Sequence, residues 1–231
     1  MTRARSTLAV CVPVVAVVVY AVMWLGYRQN WTWLDNVDWS LLNAAHSIGI
    51  KHPVWVRFWD GVSFVLGPTP LRLLGVVGAL VLVAKGNVRA ALLLLTCLPL
   101  SGFVTVAAKS LAHRPRPVTA LVAVPETSFP SGHSLEAMAG VLGLLTIVLP
   151  LLRRSARRIA VTVAALSVLA VGIARVALNV HNPSDVMAGW ALGYLYFLLC
   201  LWVIRPTVLS RRGDPTGSKP LLDPVVGPVR R

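Results

Sequence analysis

The sequence predicts an all-α polytopic membrane protein: a six-transmembrane-helix bundle with one long outer amphipathic connection. Three observations predict it. Of 231 residues, 56% are hydrophobic and only 13% charged, where an ordinary soluble domain carries roughly a quarter charged. Six apolar runs punctuate the chain, five of them close to the roughly 20 residues a helix needs to cross the hydrocarbon. The cations behind the net charge of +14 fall mainly in the connections between those runs. That placement points to a lipid bilayer as partner and away from nucleic acid.

The first run, about residues 8–25, follows Thr2-Arg3-Ala4-Arg5 and looks like a signal peptide. Trp24-Leu25-Gly26-Tyr27-Arg28 lacks the small residues of a cleavage site, so the run is expected to stay as the first span. Residues 27–69 form the outer connection, with Trp31, Trp33, Trp39, Trp55 and Trp59. Two stretches, about 33–48 and 53–66, are expected to lie in the headgroup layer as amphipathic helices. Their tryptophans read as an aromatic belt, and the sharper alternative is a lateral gate for a lipid tail. The second run, about 70–84, is short unless it begins near Gly67 with Arg72 reaching outward. The remaining runs fall at about 90–108, 135–152, 159–176 and 186–204.

Residues 1–204 therefore make one transmembrane domain. Residues 205–231, rich in Pro, Gly and Arg, are expected to be a disordered basic tail. Cys11, Cys97 and Cys200 lie inside apolar runs without metal-ligand spacing and read as buried packing residues. Arginine-rich composition with only four lysines fits a bacterial genome rich in GC.

Orientation follows from charge. One set of connections holds Arg3, Arg5, Lys85, Arg89, Arg153, Arg154, Arg157, Arg158 and the cations from Arg205 onward, fourteen of the 22. Both termini are therefore expected in the cytoplasm. Three polar clusters then share the opposite, outer face: Lys109 with Arg116-Pro117; Pro130-Ser131-Gly132-His133; and Arg175 with His181 and Asp185. An odd number of spans between any two would have separated them.

The residue types suit an anion of phosphate size. Lys109, Arg116 and Arg175 supply charge, and arginine's planar fork matches phosphate oxygens in pairs. Ser131 and Gly132 stand where the fourth span begins, so backbone N–H groups and the helix dipole add to an anion site. His133 and His181 suit proton and phosphoryl transfer, with Asp185 beside them. Cations of this kind stabilise a phosphoryl transition state by themselves, so no metal or other cofactor is expected. Arg114, His113, His46 and His52 read as interfacial anchors. Glu136 reads as a complement to the helix N-terminus, with a second acid role as the alternative. Gly189-x-x-x-Gly193 is expected to permit close helix packing.

Together the three clusters resemble the three-part signature of the type 2 phosphatidic acid phosphatase superfamily. The resemblance extends into His181-Asn182-Pro183-Ser184-Asp185-Val186-Met187-Ala188-Gly189-Trp190 and covers about residues 109–193. It implies a membrane lipid phosphatase, with His181 the nucleophile of a phosphohistidine intermediate, Asp185 its orienting carboxylate and His133 the general acid. Lys109, Arg116, Ser131, Gly132 and Arg175 would grip the phosphate of a phosphorylated membrane lipid. Polyprenyl diphosphate, phosphatidate, phosphatidylglycerol phosphate and a prenyl-linked sugar phosphate are the candidate substrates, and recycling of a cell-wall carrier favours the first. A phosphotransferase using the same intermediate, or a lipid-phosphate binding protein, is the alternative. The family usually has serine before the third-cluster arginine; here Ala174 stands in that place.

Overall fold

The computed structural model describes the backbone of residues 2–124 and 127–206, and side chains from residue 10 onward within those limits. The tail expected from residue 205 lies outside the described residues from 207 on. The described chain is helical, with no strand. In order the helices are α1 (Thr2–Arg28), α2 (Thr32–Gly49), α3 (Pro53–Val65), α4 (Pro68–Ala84), α5 (Val88–Cys97), α6 (Ser101–Ala112), α7 (Gly132–Val148), α8 (Arg154–Ala177) and α9 (Pro183–Ile204).

Six segments among these are long and apolar enough to cross a bilayer: Val10–Arg28, Pro53–Ala84, Val88–Ala112, Gly132–Leu151, Arg154–Ala177 and Pro183–Ile204. The count matches the sequence expectation, but two of the segments are broken. The third is interrupted between α5 and α6 at Pro99, which lacks an N–H and disfavours helix in the residue before it. Leu98, at that break, is buried where Gly75 of α4 and Gly140 of α7 leave room for it. A Cβ at either glycine would come within 2.7 or 3.1 Å of the Leu98 side chain. The second segment joins α3 to α4 across Leu66–Gly67. Helix α3 packs against α8: Trp55 Nε1 donates to the Ala177 carbonyl at 3.3 Å, and Ser63 is buried.

The closest packing joins α7 to α9, and small residues explain it. A Cβ on Gly189 would fall 2.6 Å from the Ser131 carbonyl oxygen, and one on Gly193 would fall 2.4 Å from that of Leu135. The Gly189/Gly193 spacing thus packs helix on helix. Helix α1 leans on this pair through an aromatic cluster, Tyr20, Trp24 and Tyr27 closing around the fully buried Phe129 just before the second polar cluster. Apolar side chains such as Phe103, Leu73 and Trp202 point outward, as a bundle surrounded by lipid tails requires. Cys97 and Cys200 are buried in the apolar core, whereas Cys11, also expected to be buried, is exposed on α1.

Candidate active site

The corner between α8 and α9 builds the centre of the site. Asn179 takes φ 55°, a left-handed conformation asparagine tolerates. The N–H groups of Val180 and His181 then both donate to the Arg175 carbonyl, at 3.2 and 3.3 Å. The chain folds back so that Arg175 and His181 stand side by side. Asn182 caps α9, Pro183 occupies its first turn, and the Asp185 side chain accepts the Asn182 N–H at 2.8 Å in a capping box. Asp185 is therefore fixed by the helix start itself, one turn from His181.

Its carboxylate faces the imidazole, Oδ2 lying 3.5 Å from Nδ1. That is ion-pair range rather than a good hydrogen bond, and Nδ1 is buried without a hydrogen-bond partner among the described residues. On the other side of the ring Arg116 Nη1 sits 3.2 Å from Nε2. A guanidinium only donates, so Nε2 carries the lone pair and the ring proton belongs on Nδ1, toward Asp185. Burial drives the His181 imidazole down to about 3 against the opposing pull of Asp185. The ring is thus neutral at physiological pH, with its basic nitrogen beside a cation.

Arg114 departs from expectation. Expected as an interfacial anchor, it is buried, and its Nη1 donates at 2.7 Å to both Asp185 Oδ1 and Ser184 Oγ. Its Nη2 meets Asp38 Oδ2 at 3.0 Å, and Tyr27 lies against it, 4.8 Å from the ring centroid. Burial opposes its charge, but Asp185 and Asp38 more than offset that and hold it above its ordinary value. Asp38, from α2, also accepts the N–H of Ser184 at 2.9 Å and its hydroxyl. Ser128 completes the shell by donating its hydroxyl to Asp185 Oδ2. Asp38, Ser128 and Ser184 escaped the sequence reading. Only Ser184 had a local signal, as the second residue of a capped helix start.

The second cluster is joined to the third through the backbone. Ser131 caps α7 and its N–H donates to the Asp185 carbonyl at 2.9 Å, while its Oγ accepts from Ser134 at 3.1 Å. Ser131, expected to grip an anion, does not line the cavity, and its N–H is committed to the Asp185 carbonyl. Gly132 and His133 line the wall instead. First-turn N–H groups have no intrahelical partner, so this end of α7 is suited to an anion. No side chain fits at 132, because a Cβ there would come 2.6 Å from Thr105 Cγ2.

These pieces enclose a cavity of about 290 Å³, lined by Lys109, Arg116, Gly132, His133, Arg175 and His181 together with Thr69, Arg72, Thr105 and Glu136. Of the eight expected site residues, six line it and two, Ser131 and Asp185, support it from behind. Lys109 Nζ donates to the Thr127 carbonyl, and Arg116 Nη1 donates to that of Val180 at 2.5 Å. Arg175 Nη1 donates to Ser63 Oγ at 2.8 Å, so a hydroxyl near this arginine comes from α3 and not from position 174. Arg175 Nε is buried with no partner among the described residues, an open donor on the guanidinium. Arg72, expected to reach outward, turns inward to Glu136, at 2.8 Å. His46 meets the Thr119 carbonyl at 3.1 Å, His113 caps α6, and His52 is exposed; none lines the cavity. Chemically, the enclosure offers a neutral imidazole whose Nε2 lone pair faces Arg116, a second imidazole, four cations, one of them paired with Glu136, and a helix N-terminus around one volume.

Comparison with known proteins agrees with the fold. A family model described as the PAP2 superfamily matches residues 90–208. The chain is 40% identical over 75 residues to phosphatidylglycerophosphatase B of Bacillus subtilis (strain 168), a match over 31% of this chain and 36% of that protein, so it spans about a third of that relative's length. The crystal structure of a transmembrane PAP2-type phosphatidylglycerolphosphate phosphatase from Bacillus subtilis is similar over 83% of this chain and 94% of that one. Its TM-score is 0.69 and the sequence identity 26%.

Proposed function

The chain belongs to the PAP2 superfamily, and from that premise we propose that it is an integral-membrane lipid phosphatase working through a phosphohistidine. One observation carries the reading: His181 and His133 line the same cavity as Lys109, Arg116 and Arg175. Binding an anion needs the cations alone, whereas moving a phosphoryl group needs the imidazoles as well.

The steps follow from the contacts. The phosphate settles among Lys109, Arg116 and Arg175 and the N-terminus of α7, where Arg175 Nε gains the acceptor it otherwise lacks. Arg116 turns from His181 Nε2 to a phosphoryl oxygen, which frees the lone pair. Nε2 attacks phosphorus, the bond to the lipid oxygen breaks, and His133 protonates that oxygen. Asp185 stabilises the charge that forms on the His181 ring and keeps its proton on Nδ1. Water, deprotonated by His133, then releases inorganic phosphate. The charge of the transition state is met by guanidinium, ammonium and backbone donors, so the reaction runs without a metal.

The excess of cations on the terminal side supports cytoplasmic termini and a site on the outer face of the membrane. Both relatives are named for phosphatidylglycerophosphate, which joins polyprenyl diphosphate at the head of the substrates to test. The purified full chain in mixed micelles is expected to release phosphate from at least one of phosphatidylglycerophosphate, polyprenyl diphosphate and phosphatidate. His181→Ala should lower that rate at least about 10³-fold. No release from any of the three, or full activity in the variant, would remove the reading.

A further inference from the structure

Arg72 and Glu136 take no part in the steps above, yet both line the cavity. Arg72 Nε donates to Glu136 Oε2 and Nη2 to Oε1, each at 2.8 Å. Nη1 lies outside this two-point pairing. Glu136 is buried, whereas 44% of the Arg72 side chain remains exposed. Three helices shape the place: Arg72 comes from α4, Glu136 from α7, and Gly102 of α6 gives way to the guanidinium, since a Cβ there would fall 2.7 Å from Nη2. Ionised groups within apolar spanning helices usually mark function, and a purely structural pair would not need one partner open to the cavity.

The position of the pair relative to the histidines says which part of a substrate it meets. Glu136 follows His133 by three residues and shares its face of α7. Gly67, the cap of α4, lies against the His133 ring, a Cβ there coming 3.3 Å from Cδ2. The start of α4, with Arg72 about a turn further on, therefore borders the proposed acid. In phosphoryl transfer the attacking and leaving atoms lie roughly in line through phosphorus. With His181 on one side, the leaving oxygen points to His133, and the next atoms of the leaving group continue toward Arg72.

We propose that Arg72, aimed by Glu136, forms a second anion subsite on the leaving-group side, so that the enzyme prefers lipids whose leaving group carries a further phosphate. This rests on the assignment of His181 and His133 above. A diphosphate presents that second phosphate directly, and a glycerol-bridged bisphosphate presents it a few bonds away; phosphatidate has none. Glu136 holds the guanidinium in register and balances its charge while the subsite is empty, so a simple monoester meets a neutral pair.

The test compares wild type with the double variant Arg72→Gln/Glu136→Gln, which removes both charges together and leaves none buried alone. In the ratio of kcat/KM for polyprenyl diphosphate or phosphatidylglycerophosphate over phosphatidate, the variant should fall roughly tenfold to a hundredfold, the worth of a charged hydrogen bond. A fall for only one of the two lipids identifies the phosphate spacing the subsite accepts. An unchanged ratio in an active variant overturns the proposal. Binding of methylenediphosphonate against orthophosphate to the wild-type chain, by calorimetry, tests it without turnover and without any variant. A preference of tenfold or more for the diphosphonate is expected, and equal binding overturns the subsite whatever the enzyme hydrolyses. A clear preference in a protein that hydrolyses no lipid would uphold the subsite and remove the phosphatase reading alone.

Discussion

Two regions of the chain build the site and differ in kind. Residues 109–193 carry the recognisable clusters and supply the two histidines, Asp185 and the three cations. Helices α2 and α3, from a tryptophan-rich connection without a motif, supply Asp38 and Ser63, the side chains that hold Arg114 and Arg175. The first region sets which chemistry is possible; the second sets where two of its arginines point. The lesson is physical. A guanidinium on a long flexible stem has no address until a fixed acceptor gives it one, and that acceptor can lie anywhere in the sequence.

This division breaks or sharpens under substitution. The largest effect is expected at Asp38→Asn. It keeps the shape but takes a charge from the Arg114 network, and should lower kcat roughly tenfold to a hundredfold with a smaller change in KM. An unchanged kcat with only a lower melting temperature would show that α2 supports the fold and not the site. Next comes Ser63→Ala, which removes a single hydrogen bond to Arg175. KM should rise about threefold to tenfold while kcat holds, and an effect as large as that of Asp38→Asn would erase the distinction between the two helices.

The smallest effect concerns pH. His181 is neutral down to about 3 in the folded protein, whereas the unfolded ring takes up a proton near its ordinary value of about 6.5. The folded state therefore loses stability as pH falls from about 6.5 toward 3, because the unfolded chain binds the extra proton. Melting temperature should decline across that window more steeply in wild type than in His181→Ala. His181 itself should place no acid limb on kcat/KM above about pH 4. Parallel melting curves would show that the imidazole is not held neutral.

Much of this was legible from residue order alone. Apolar length sets the spans, and the even number of crossings between the clusters brings them to one end of the bundle. What was not legible is pairing across distance. Arg114 at a helix end looks like an interfacial anchor until Asp38, 76 residues away, meets it. Arg72 looks like a snorkelling cation until Glu136 draws it inward. The α3 stretch is apolar and aromatic, and nothing in its residue order says that Ser63 meets Arg175, 112 residues away. Pro99 did carry a local signal: a proline inside an apolar run marks the break between α5 and α6.

The claim on which the rest depends is that His181 takes the phosphoryl group. Rapid acid-free quenching of the full chain after mixing with lipid labelled in its terminal phosphate tests it most directly. A transient label that survives base, is lost in acid and maps by peptide analysis to His181 is the expected result. Efficient turnover with the label on another residue, or with no protein-bound phosphate in a quench fast enough to precede hydrolysis, would contradict it.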